Sequence, residues 1–143
     1  MAITLGQRSL ARLDGVHPKL VRVIMRAAAM ARPDEDFTVL EGVRTLERQK
    51  ALYAQGRTAP GKIVTWTLKS NHFRNPRTGF GHAVDLAPFP IDWNDSVRFD
   101  RLAGLMFRAA SIEGVKIRWG ADWDQDGKPR ERGESDSPHF ELA

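Results

Sequence analysis

Few side chains in this 143-residue chain can carry demanding chemistry. There are four histidines, His17, His72, His82 and His139, and no cysteine. The missing thiol excludes disulfide scaffolds, cysteine nucleophiles, cysteine-ligated zinc and iron–sulfur clusters. A zinc centre must then be built from histidine nitrogens and carboxylate oxygens, and a catalytic one takes three protein ligands plus a water. His72, Asp85 and His139 can supply that set. His17, beside Pro18, reads instead as a local cap or a surface residue. The spacings match no short ligand rule such as His-x-x-x-His. On spacing alone, solvated pairs with Asp85, Asp122 and Asp136 remain the plainer alternative.

These side chains need elements to hold them. Pro18 to Ala31 reads as a helix, with Pro18 at its first position and Leu20, Val23, Ile24 and Ala27 as one apolar stripe. Arg22, Arg26 and Arg32 fall on its other side, and Pro33 stops it. Phe37 to Val43 alternates as a strand, with Phe37, Val39 and Val43 on one face. Thr45 caps a second helix, Leu46 to Gln55, which Gly56 ends. Val64, Trp66 and Leu68 alternate as an extended segment, and Asn71 to Gly81 has the composition of a loop. Ala83 to Leu86 is a short apolar strand broken by Pro88 and Pro90. A third helix starts near Ser96, carries Phe99, Leu102, Met106 and Ala109, and stops at Gly114. Lys116 to Trp119 and His139 to Leu142 are short strands on either side of a polar loop, Asp122 to Ser137. The sequence therefore predicts a single α+β domain over residues 1–143. It has a small, mainly antiparallel sheet, about three flanking helices and the zinc site at the sheet edge.

Composition narrows the partners. Hydrophobic residues make up 41% and charged residues 28%, ordinary for a globular chain and wrong for a disordered one. No apolar stretch is long enough to span a membrane, so stable membrane insertion is not expected. The net charge is +4 and the pI near 9.8, which favours anionic partners. The basic residues are interleaved with acids, however, as in Arg44, Glu47, Arg48 and Lys50. No basic stripe marks a nucleic-acid surface. Met1 to Leu10 lacks the basic region and apolar run of a signal peptide.

Six short landmarks then carry a resemblance. They are Gly15-Val16-His17-Pro18, Glu41-Gly42-Val43-Arg44-Thr45, Ser70-Asn71-His72, Gly81-His82-Ala83-Val84-Asp85-Leu86, Trp119-Gly120-Ala121-Asp122-Trp123 and Ser137-Pro138-His139-Phe140-Glu141-Leu142. In this order, from about Arg12 to Leu142, they resemble the zinc D-alanyl-D-alanine carboxypeptidases. Within that family the chain looks closest to the L-alanyl-D-glutamate endopeptidases that phages use as endolysins. The resemblance implies a zinc peptidase that cuts the L-Ala–D-Glu bond of peptidoglycan stem peptides. It would be made in the host cytoplasm without a signal peptide, act in the periplasm after release through a separate pore, and work as a monomer.

The resemblance also implies roles: His72, Asp85 and His139 as zinc ligands, Asp136 as general base, Arg44 on the scissile carbonyl, and Ser70 positioning substrate. The 13-residue gap from His72 to Asp85 is longer than in the compact form of the motif. The extra residues fall in Phe73 to Gly79, where a surface loop tolerates them. This leaves His82 as the rival first ligand. On a strand, however, His82 and Asp85, three residues apart, point to opposite faces, which favours His72. Glu141, two residues from His139 and on the same face of a regular strand, is the rival base. Arg44 has a planar fork suited to a carbonyl or carboxylate; taken alone it would be a surface arginine before a helix. Trp119 and Trp123 are candidate walls of the substrate cleft, although a tryptophan at a strand end is more often core.

Asp122-Trp123-Asp124-Gln125-Asp126-Gly127 imitates the first half of a calcium loop. Gly133 stands where the bidentate glutamate is needed, so the EF-hand pattern fails and an acidic loop near the site is the bland reading. Two alternatives stay open beside the endopeptidase: a carboxypeptidase or dipeptidase of the same fold that removes D-Ala, and a non-catalytic domain whose zinc is structural.

Overall fold

The computed structural model describes residues 3–63, 70–130 and 136–143. Along the chain these form α1 (Gln7–Arg12), α2 (Pro18–Met30), a 3-10 turn (Pro33–Glu35), β1 (Phe37–Glu41), α3 (Leu46–Ala54), β2 (Ala83–Pro88), α4 (Ser96–Glu113), β3 (Ile117–Trp119) and β4 (His139–Leu142). Val64, Trp66 and Leu68 lie outside the described residues.

The four strands make one antiparallel sheet in the order β1-β2-β4-β3. Period-two alternation sorts its faces. Val39, Val84, Leu86, Phe140, Ile117 and Trp119 join the core beneath α2 and α4. Asp85, His139, Glu141 and Arg118 share the other face, since Asp85 pairs with His139 and Arg118 with Glu141. Leu20, Val23, Ile24 and Ala27 of α2 and Phe99, Leu102, Met106 and Ala109 of α4 are all buried, as their spacing predicts. Arg22 and Arg26 lie on the outer side of α2, where both reach Glu113 of α4. His17 does cap α2, its Nδ1 accepting from the Lys19 N–H at 3.1 Å. Thr45 and Asp95 cap α3 and α4 in the same way, and Gly114 closes α4 at φ 69°.

Three expectations change. A fourth helix, α1, adds to the three predicted; six residues behind an uncapped Gly6 are too few to show a period. Its Ser9 Oγ accepts from the Val39 N–H at 3.0 Å, and Arg12 donates to the Val39 carbonyl at 2.8 Å, so α1 covers the outer edge of β1. Strand β1 stops at Glu41, not Val43, and carries a bulge between Val39 and Glu41. Gly42 and Arg44 turn away to bond with His72. Strand β2 runs on to Pro88, where the chain pairs with Phe37 and needs no further N–H from the proline.

Candidate metal centre and active site

Two strands and one loop build the site. Asp85 and His139 are cross-strand partners on β2 and β4. The group thus sits on the sheet over the β2–β4 pair, near the start of β4. His72 enters from the loop that precedes β2. Its backbone N–H bonds to Ser70 Oγ at 3.1 Å, while its carbonyl accepts from the Arg44 N–H at 2.8 Å. The ring is buried, and its Nδ1–H donates to the Gly42 carbonyl at 2.8 Å. That bond fixes the tautomer and leaves the Nε2 lone pair facing Asp85.

His72 Nε2 and His139 Nδ1 each stand 3.3 Å from Asp85 Oδ1. His72 Nε2 and Asp85 Oδ1 are buried with no hydrogen-bond partner. Buried polar atoms without partners carry a substantial desolvation cost, so two of them converging ask for a ligand. Two zinc bonds of about 2.0–2.1 Å at a tetrahedral angle span about 3.3 Å between donor atoms. The residues present therefore fit a zinc ion in donor type and in spacing, and the three donors lie within 4.8 Å of one another.

The outer contacts complete the arrangement. His139 Nε2 lies 2.7 Å from Glu141 Oε1, a carboxylate–histidine pair that orients the ring. Glu141 is buried, accepts from Asn71 Nδ2 at 2.8 Å and has Arg118 at 3.8 Å. Burial alone would lower the His139 pKa, but Asp85 and Glu141 outweigh it and carry it up to about 10. Burial would raise Asp85, yet the His139 and His72 rings beside it hold it well below the usual carboxylate range. In the metal-free chain a proton on His139 therefore balances Asp85, and a cation must displace it.

Arg44 is 10% exposed and its fork is engaged within the protein. It binds Glu41 twice, at 3.0 and 2.8 Å, Gln49 Oε1 at 2.7 Å and Asp85 Oδ2 at 3.5 Å. The bulge in β1 makes this possible. It advances the register by one, so that Glu41 and not Leu40 opposes Asp85. Asp136 Oδ2 lies 4.0 Å from His139 Nδ1. Burial and the charge of Asp85 push its carboxyl pKa upward, a shift tempered by a side chain still 64% open to solvent. Gly120 lets the chain approach here, since a Cβ there would lie 2.9 Å from the Cβ atoms of both Asp136 and His139.

The other candidates separate cleanly. His82 turns away from Asp85: its ring meets His17 at 5.2 Å and its Nε2 lies 2.8 Å from Thr78 Oγ1. Trp119 is core, stacked on Phe140 with its N–H donating to the Ser137 carbonyl. Trp123 is half exposed with its ring 6.2 Å from that of His139. Ser70 braces the His72 turn. Asp122, Asp124 and Asp126 do come together, but Asp122 and Asp124 accept backbone N–H groups of their own loop. Position 133 is outside the described residues. Sequence reasoning missed the supporting roles of Glu41, Gly42, Gln49, Asn71 and Arg118. Glu41 and Asn71 lay inside landmarks already noted, whereas nothing local set the buried Gln49 apart from a surface glutamine.

Comparison with known proteins adds a final set of observations. A family model described as phage L-alanyl-D-glutamate peptidase matches residues 1–143. The L-alanyl-D-glutamate peptidase of Escherichia phage T5 is 32% identical, covering 100% of both chains. The peptidoglycan L-alanyl-D-glutamate endopeptidase CwlK of Bacillus subtilis is 30% identical over 80% of this chain and 65% of its own length. Among solved structures, the L-Ala D-Glu endopeptidase ChiX of Serratia marcescens aligns with a TM-score of 0.69 and 33% identity, covering 96% of this chain and 87% of that one.

Proposed function

Because the chain belongs to the phage L-alanyl-D-glutamate peptidase family, we propose that it is a zinc endopeptidase cutting the L-Ala–D-Glu bond of peptidoglycan stems in phage-driven lysis. The observation that carries this reading is the convergence of His72 Nε2, Asp85 Oδ1 and His139 Nδ1, with Asp136 beside them.

His72, Asp85 and His139 would hold the zinc. When bound, it supplies a Lewis acid for the scissile carbonyl and lowers the pKa of water from 15.7 to about 7. Asp136 takes the proton of the attacking water and returns it to the leaving amine of D-Glu. Its open side gives it access to both atoms. Glu141 is ill placed as base, because it is buried and committed to the far nitrogen of His139; it sets the ring instead. Arg44 holds Asp85 Oδ2, so that Oδ1 stays turned to the centre. For Arg44 to meet a substrate oxygen, its fork would have to share donors now given to Glu41 and Gln49. Trp123 walls the cleft beside His139, and Ser70 keeps the His72 turn in place for substrate.

Digestion of DAP-type peptidoglycan, read by mass spectrometry with and without a chelator, tests the reading. Stems cut after L-Ala, only in the absence of chelator, are expected. Loss of a single D-Ala would instead identify the carboxypeptidase, and intact stems a non-catalytic domain.

A further inference from the structure

An L-Ala–D-Glu bond uses the nitrogen of glutamate and leaves that residue with two carboxyl groups. One continues the stem, so the other remains as a charge close to the scissile bond. A cation near the metal ligands would recognise it. Among the described residues, Arg44 contacts Asp85, and Arg118 contacts the carboxylate that holds His139. Arg44 is nearly enclosed, and its fork is engaged by Glu41, Gln49 and Asp85. Arg118 is different. It extends from β3 on the same sheet face as His139 and Glu141, and its side chain is 31% exposed.

Its guanidinium lies 5.0 Å from the ring centroid of Trp123, whose ring in turn stands 6.2 Å from that of His139. Trp123 thus forms a half-exposed floor between the ligand group and the arginine. The long 3.8 Å approach to Glu141 uses one end of the fork. The other end is met by a neutral group. With the amide of Gln125 turned as its neighbours require, its oxygen accepts from Nε at 3.2 Å and from the second terminal nitrogen at 3.3 Å. A loop amide in that position mimics a carboxylate with a weaker acceptor. Exchanging it for a charged oxygen pair gives stronger, charge-assisted and bidentate bonds.

We propose that Arg118, stacked on Trp123, binds the free carboxylate of the D-glutamate residue by displacing Gln125, and so selects acidic over amidated stems. This rests on the endopeptidase reading above and names the substrate group that the site would choose.

Two synthetic stem peptides test it, alike except that the free glutamate carboxyl is an acid in one and a carboxamide in the other. The unaltered protein should favour the acid about 10- to 100-fold in kcat/KM, chiefly through KM, the scale of one charge-assisted contact. Arg118→Gln should collapse that ratio towards one, and Arg118→Lys should leave a partial preference, since the ammonium keeps the charge without the fork. Zinc content of each variant is measured alongside, because Arg118 also faces Glu141. A collapsed ratio at full zinc occupancy supports substrate recognition. An unaltered protein that cuts both peptides equally overturns the proposal while leaving the endopeptidase reading intact, as does an Arg118→Lys variant with undiminished preference. If neither peptide is cut, the endopeptidase reading falls, and this inference falls with it.

Discussion

Asp136 and Glu141 are two carboxylates within three residues of His139, and their surroundings differ, as the roles proposed for them require. Asp136 is open and 4.0 Å from His139 Nδ1; Glu141 is buried against Nε2. Asp136→Asn should therefore keep zinc and fold but lose turnover by about 10²-fold or more, the scale of a missing general base. Glu141→Gln should weaken zinc binding by about 10- to 100-fold, as loss of an outer carboxylate does. Metal titration beside kinetics distinguishes the two, and the reverse pattern would exchange their roles. His72→Ala, Asp85→Ala and His139→Ala should each lose zinc and activity together, whereas His82→Ala should retain zinc, since its ring contacts His17 and Thr78. Arg44→Lys keeps the charge but cannot bind Glu41 twice while reaching Asp85. Its kcat/KM should fall about 10²-fold, measured against zinc content to show whether Asp85 has shifted.

The strands and turns behind these side chains depend on close approach. At Gly120 an added Cβ would lie 2.3 Å from the Asp136 carbonyl oxygen, a backbone atom that cannot swing aside. Gly120→Ala should therefore displace the Asp136–His139 segment. We expect a cost of about 1–3 kcal/mol, as for other overpacked sites, with a disproportionate loss of activity, read by thermal unfolding and kinetics. A variant with unchanged turnover would show that the turn into β4 has slack. Such constraints explain what was legible in the sequence. The stripes of α2 and α4, the caps Thr45 and His17 and the stop at Gly114 are local signals, and each acts within a turn or two of itself. The grouping of His72, Asp85 and His139 is legible only through ordered landmarks, because Asp85 and His139 meet by strand pairing and His72 joins them from a loop, none of which a spacing rule encodes. The bulge in β1 left no mark in the sequence, since one added residue still reads as alternation. Hence the alternation runs on to Val43 in the sequence, and nothing in it announces the clasp of Arg44 by Glu41. The six residues of α1 were too short to declare themselves.

The whole chain carries the electrostatic cost of its site when no metal is bound. His139 is raised from 6.5 to about 10 in the folded state. Between those values the folded metal-free chain holds a proton that the unfolded chain has released, so its stability falls as pH rises through that window. Below 6.5 this contribution is fully present. Asp85 has the opposite sign: its depressed pKa contributes above the ordinary 3.8 and is lost as pH falls through its lower folded value. Chelated protein should thus be most stable between about pH 4 and 6.5. Zinc competes with the His139 proton, so its stabilising increment should grow from pH 6 towards pH 9. Calorimetry across this range with and without chelator measures both trends, and a chelated Tm that stays flat would contradict them.

The contacts of α1 with Val39 have a consequence for behaviour in crowded solution. An outer strand normally offers unpaired N–H and C=O groups to any extended chain that drifts past, the first step of sheet-to-sheet aggregation. Here Ser9 and Arg12 occupy the donor and acceptor of Val39. The helix thus works as a built-in stopper against self-templating. A Ser9→Ala, Arg12→Ala double variant should lose some stability and begin to scatter light at concentrations where the parent stays clear. The onset should move with protein concentration, because the exposed edge now has to find a second molecule.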